Sequence, residues 1–150
     1  MTTYTDCFKD GELFMLATGQ SIRGESADQF ALYQNLVHEE GAELSHALHN
    51  LNRHTRAEPE VPDDEYIETL VTLSSEVAKE AIDCVVVLNG LLRSMGVSPA
   101  KVWTAVHESN MSKLVDGAPV LREDGKVMKG PNYQPPDIRK IVLDAWGAER

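Results

Sequence analysis

Apolar residues recur along most of the chain at three- and four-residue spacing, the period of helices that pack by one face. The most regular stretch follows Ser26-Ala-Asp-Gln29, which reads as a capping box. The serine hydroxyl serves an orphan N–H, and the glutamine three residues later reaches back to the cap. Phe30, Tyr33, Leu36, Val37, Leu44, Ala47, Leu48 and Leu51 then mark one helical face. The pattern breaks over residues 53–64, a charged stretch holding Pro59 and Pro62, and a loop is predicted there. A long helix is predicted from about residue 65 to 95, with Asp63 or Asp64 as its cap and Gly96 past its end. Ile67, Leu70, Val71, Val77, Ala78, Ala81, Cys84, Val85, Leu88 and Leu91 give it a wide apolar face. The run Val85-Val86-Val87-Leu88 alone would suit a strand, but its surroundings favour a buried helix.

Shorter elements flank these two. Phe8, Leu13, Phe14, Leu16 and Ala17 predict a helix within about residues 5–19. Ser98-Pro99 is a strong helix start, because Pro at the first helical position lacks only an N–H that would go unused. That helix should reach about Leu114 through Trp103, Val106 and Met111. Over residues 120–128 the Asp124-Gly125 pair, which tolerates the positive φ of a tight turn, predicts a small β-hairpin. Pro131, Pro135 and Pro136 mark an irregular tail, and a last helix is expected over about residues 137–146. The expected fold class is all-α, with one domain over 1–150. A helical core would cover about 5–114, and the hairpin and tail about 115–150.

Length and composition agree with one globular domain. No apolar run approaches the ~18 residues of a membrane span. The first residues show no basic segment followed by an apolar one, and Cys7 and Cys84 make no disulfide framework. A cytoplasmic location with no membrane partner is the expectation. A net charge of −10 disfavours nucleic-acid partners, since their backbones would be repelled.

The placement of certain carboxylates changes the picture more than their number. Glu40, three residues after Val37 and four before Leu44, and Glu43, four before Ala47 and seven after Leu36, fall within the apolar stripe of the second helix. Glu80 and Asp83 repeat the feature on the long helix, three residues apart and so on one side of it. A buried unpaired carboxylate is costly unless its pKa rises or a cation compensates it. Antiparallel packing of the two helices would gather all four. An oxygen-only ligand set suits a hard ion such as Mg²⁺, with Mn²⁺ as a substitute. One such pair is most often solvated surface, whereas two pairs in the stripes of two central helices make chemistry an even alternative.

Glu39-Glu40-Gly-Ala-Glu43 and Glu80-Ala-Ile-Asp83 resemble the E-E-x-x-E…E-x-x-D signature of MazG-like all-α nucleoside triphosphate pyrophosphohydrolases, and Asn110-Met-Ser-Lys113 resembles that family's N-x-x-K element. The segment from Asp116 to Asp137 looks like the tail of a bacterial and phage branch. The spacer between Glu43 and Glu80 is longer than the family's, and the Pro-containing loop would absorb the excess. The resemblance implies a four-helix core, a homodimer or homotetramer, and hydrolysis of a (d)NTP to a (d)NMP and diphosphate. It implies Glu40, Glu43, Glu80 and Asp83 as Mg²⁺ ligands, with Glu39 a further ligand or the group orienting the attacking water. Lys113 would contact phosphate and Asn110 would fix it or the sugar. Arg122, Lys126, Lys129 and Tyr133 would close over the phosphates, while Gln34 and Asn89 would read the base, with a lean towards dGTP or GTP. For the tail cations and the base readers, ordinary solvated side chains explain the residues equally well.

Two other readings compete. Glu43-x-x-His46 matches half of a carboxylate-bridged di-iron motif, but the long helix offers Glu80-x-x-Asp83 where a second Glu-x-x-His is needed. A nucleotide- or metal-sensing module of the same fold is the non-enzymatic alternative.

Overall fold

The computed structural model describes residues 6–57 and 63–147. Among them are five helices: α1 (Cys7–Ala17), α2 (Ala27–Arg56), α3 (Asp64–Ser94), α4 (Pro99–Met111) and α5 (Ile138–Ala145). Pro59 and Pro62, on which the predicted loop rests, lie outside the described residues. Each helix begins on a side-chain cap that satisfies an orphan N–H. Asp6 accepts from Phe8 and Lys9, Ser26 from Gln29, Asp63 from Tyr66, Ser98 from Lys101 and Asp137 from Lys140. Gln29 does not reach back to its cap residue. Its side chain grips the preceding loop, accepting from the Ser21 N–H at 2.9 Å and donating to the Ser21 carbonyl at 2.6 Å. The second helix also runs further than its apolar pattern, to Arg56, because polar residues continue it at no packing cost once the face ends.

The chain forms two compact units, Met1–Met95 and Gly96–Arg150. In the first, α2 and α3 pack antiparallel. At one end His54 stacks on Tyr66, with ring centroids 4.3 Å apart. At the other end the Tyr33 ring, buried, lies directly against Gly90 of α3, and its hydroxyl donates to Gln20 at 2.7 Å. A side chain at position 90 would overlap that ring, so the glycine sets how closely the helices approach.

Helix α1 is fastened to α3 by a polar seam. The buried Arg93 guanidinium donates to the Phe8 carbonyl at 2.8 Å and to the Asn89 side-chain oxygen at 3.1 Å, and pairs with Glu12 at 3.0 Å. Asn89 in turn donates to the Cys7 carbonyl at 3.1 Å, beside the close approach of Gly11. A buried guanidinium is costly to desolvate, and this one is tolerated because its donors are used.

The second unit holds α4, α5 and the segment between them. The β-hairpin expected over residues 120–128 is not formed as a pair of strands. Leu121 and Val127 make an isolated antiparallel bridge, joined by an Arg122 N–H to Lys126 carbonyl bond of 2.8 Å across a turn at Gly125. Val120, Leu121, Val127 and Met128 are all exposed. With no face to bury and, among the described residues, no third strand beside it, a two-stranded ribbon lacks what would extend it. A second Asp-Gly turn, at Asp116-Gly117, has positive φ at both residues and closes a bridge between Val115 and Ala118. Ser112 ties the tail down through its hydroxyl, which accepts from the Gln134 N–H at 2.9 Å.

Candidate metal and catalytic site

The antiparallel pairing of α2 and α3 brings carboxylates from both helices together. One oxygen from each of Glu40, Glu80 and Asp83 lies within 4.8 Å of the others. Glu80 and Asp83 share a side of α3 because they are three residues apart. Glu40 arrives from the facing helix. All three are half-buried, whereas Glu39 and Glu43 are exposed and stand outside the trio.

Three carboxylates at this separation repel one another, and the protein shows the effect. The Glu40 carboxyl is pushed above its ordinary pKa by partial burial first, then by the charges of Glu43, Asp83 and Glu80, against the opposing pull of Lys79. The Lys79 ammonium donates to Asp83 at 2.6 Å and to the two Glu80 oxygens at 3.1 and 3.2 Å. Those bonds, Asp83 before Glu80, hold its own pKa well above the usual lysine value. Two of the three carboxylates therefore already pair with a cation from their own helix. An all-oxygen donor set within this reach fits a hard divalent ion, which binds oxygens at ~2.0–2.6 Å. It offers no nitrogen or sulfur for softer metals. His46 is exposed and outside the trio, so the di-iron pattern gains no ligand.

The raised Glu40 pKa gives a signed prediction. The folded chain holds a proton on Glu40 at a pH where the unfolded chain has released it, so metal-free stability falls as pH rises from the ordinary carboxylate range towards the folded value. Below that window there is no penalty. Metal-free melting temperatures of wild type and Glu40→Gln should diverge as pH rises above the ordinary carboxylate range, with the variant the more stable. Parallel curves across the window would show that Glu40 carries no such strain.

The other predicted site residues are placed as follows. In the second unit, Lys113 donates to the Asn110 side chain at 2.7 Å. Arg122 is committed to a two-point pair with Asp124, which also holds the Asp124 carboxyl below its usual range. Lys129 lies over the Tyr133 ring at 4.4 Å, a cation–π contact. Lys126 and Gln34 are exposed. Asn89 does not face the acidic trio as a base reader. It is buried in the α1–α3 seam with both ends of its amide used, a consequence of α1 packing where the sequence pattern alone left the helix face open. Reading by residue type also passed over Lys79. Its signal was a lysine four residues before Asp83 and adjacent to Glu80.

The profile of the phosphoribosyl-ATP pyrophosphohydrolase family matches residues 18–110, which span α2, α3 and α4. The chain belongs to this family. It is thus a pyrophosphohydrolase of the MazG-like all-α superfamily, as its acidic motifs indicated. The match covers every carboxylate of the trio and ends at Asn110, so the family region contains the site and excludes the tail. No curated protein matches the chain. Metal dependence is typical of the pyrophosphohydrolase family, and the trio is a group of carboxylates that could hold an ion. Among the described residues no single helix is long and apolar enough to cross a membrane.

Proposed function

We propose that the protein is a Mg²⁺-dependent nucleoside triphosphate pyrophosphohydrolase that converts a (d)NTP and water to a (d)NMP and diphosphate. The observation that carries this reading is the convergence of Glu40, Glu80 and Asp83 from two helices within the matched family region. These three would hold the ion, with Glu43, one turn after Glu40, as a further ligand. Mn²⁺ should substitute, since the donors are all oxygen. Bound there, the ion supplies neutralisation of phosphate charge and makes water a better nucleophile.

The chain's own residues supply the rest. Glu39, exposed beside Glu40, orients the attacking water and accepts its proton. The water oxygen bonds to phosphorus as the α–β anhydride bond breaks, and diphosphate leaves with the bridging oxygen. Lys113, steadied by Asn110, supplies positive charge for the phosphates. Lys126, which among the described residues has no side-chain ion-pair partner, is freer for that role than Arg122, whose charge Asp124 already satisfies. Gln34 remains the candidate contact to the base, and dGTP the favoured substrate by resemblance to phage-branch members.

A homodimer or homotetramer completes the proposal. Leu32, Leu48, Ile67, Val71, Ile82 and Val85 of α2 and α3 are exposed in the single chain. So much apolar surface on two central helices suits a second copy of the same helix pair. The substrate for which the family is named favours a second reading, in which phosphoribosyl-ATP is the substrate at the same site.

A panel of (d)NTPs and phosphoribosyl-ATP with Mg²⁺ or Mn²⁺, assayed for diphosphate, separates these readings. The expected result is turnover of (d)NTPs, dGTP among the fastest. Preference for phosphoribosyl-ATP would move the assignment to the second reading, and turnover of nothing would leave a binding module.

A further inference from the structure

Lys79 stands in an unusual relation to the acidic trio. Its Nζ bonds three oxygens of Glu80 and Asp83 at 2.6 to 3.2 Å, yet its side chain is 64% exposed against 14% for Glu80 and 35% for Asp83. The carboxylates sit lower, and the ammonium covers them from the solvent side. Lysine carries this charge on a flexible four-carbon stem, so the head can leave without disturbing the helix. Exposed ion pairs are individually weak, so a divalent ion that binds the same oxygens can displace it.

We propose that Lys79 is a tethered counter-ion that occupies the cation position of the Glu40–Glu80–Asp83 trio and competes with the divalent ion for it. The proposal rests on the cation-site reading given above. In the cation-free protein Lys79 screens the repulsion between α2 and α3. When the ion enters, the ammonium swings away towards solvent. The competition sets the ion concentration at which the site fills, and so acts as a threshold on activity. Lys79 is a positioning residue, since it touches the metal ligands and not the reacting atoms.

Calorimetric titration of Mg²⁺ and Mn²⁺ into the full-length protein tests this without reference to turnover. K79M and K79Q remove the charge, K79R keeps it, and melting curves check that each is folded at the titration temperature. Both neutral variants should bind the ion roughly three- to tenfold more tightly than wild type, a gain of the size expected from releasing an exposed ion pair. K79R should stay within about twofold of wild type, since the competing charge is retained. Saturable binding in wild type with equal or weaker affinity in K79M and K79Q would overturn the tethered counter-ion alone. No saturable binding in any variant would overturn the cation site itself, and the counter-ion with it.

Discussion

Glu80→Gln should lower diphosphate release by roughly two orders of magnitude or more while leaving the fold intact. The substitution keeps the shape of the side chain and removes one charge from the trio. Glu80 is the less exposed of the two α3 carboxylates proposed as ligands, and one of its oxygens lies within 4.8 Å of an oxygen of both Glu40 and Asp83. Loss of a directly coordinating carboxylate should exceed the 10- to 100-fold typical of outer-sphere partners, roughly speaking. Stability should move little, because the lost Lys79 pair is exposed and some carboxylate repulsion is relieved. The combination of lost activity and retained melting temperature separates a functional carboxylate from a structural one. Turnover within a few-fold of wild type, at saturating Mg²⁺, would remove Glu80 from the site.

The second large effect lies in the packing that aligns the trio. Gly90→Ala should destabilise the protein by about 2 kcal/mol, against the sign that helix propensity alone gives. In an open helix, glycine to alanine stabilises by about 1 kcal/mol. Here the new Cβ would overlap the Tyr33 ring, which is buried and held by its bond to Gln20. Overpacking of a ring against a helix backbone lies at the upper end of the usual penalty, about 3 kcal/mol, and so wins. The α2–α3 spacing must open to relieve it, which also draws Glu40 away from Glu80 and Asp83. Denaturant unfolding measures the loss. In the Tyr33→Ala background the same glycine substitution should become nearly neutral, and an unchanged penalty there would place its cause elsewhere.

The legibility of this fold in its sequence follows the physics of each element. Ser26, Asp63 and Ser98-Pro99 act locally, and their caps formed at the expected places. Carboxylates in an apolar stripe were readable because burial of charge conflicts with the pattern around it. Features that depend on distant partners were not. Nothing near Asn89 or Arg93 announces that the first turns of α1 will supply carbonyls to them. Nor does the sequence around Gly90 show that the Tyr33 ring will lie against it. The hairpin over residues 120–128 failed for a related reason. Its Asp-Gly turn is local and real, but strand pairing beyond one bridge needs a buried face that this segment lacks. In the site itself, stripe position and resemblance grouped Glu40, Glu43, Glu80 and Asp83; the helix pairing brings Glu40, Glu80 and Asp83 within 4.8 Å of one another, and Lys79, bonded to the two α3 carboxylates, was not anticipated.

The measurement closest to the central claim is the identity of the products. Incubation of dGTP with the protein, followed by ³¹P NMR in the presence of Mg²⁺ and again with excess EDTA, reports both the bond broken and the need for the ion. The account predicts dGMP and diphosphate in equal amounts with Mg²⁺, and unchanged dGTP with EDTA. Orthophosphate and dGDP as products, or equal turnover in EDTA, would contradict it.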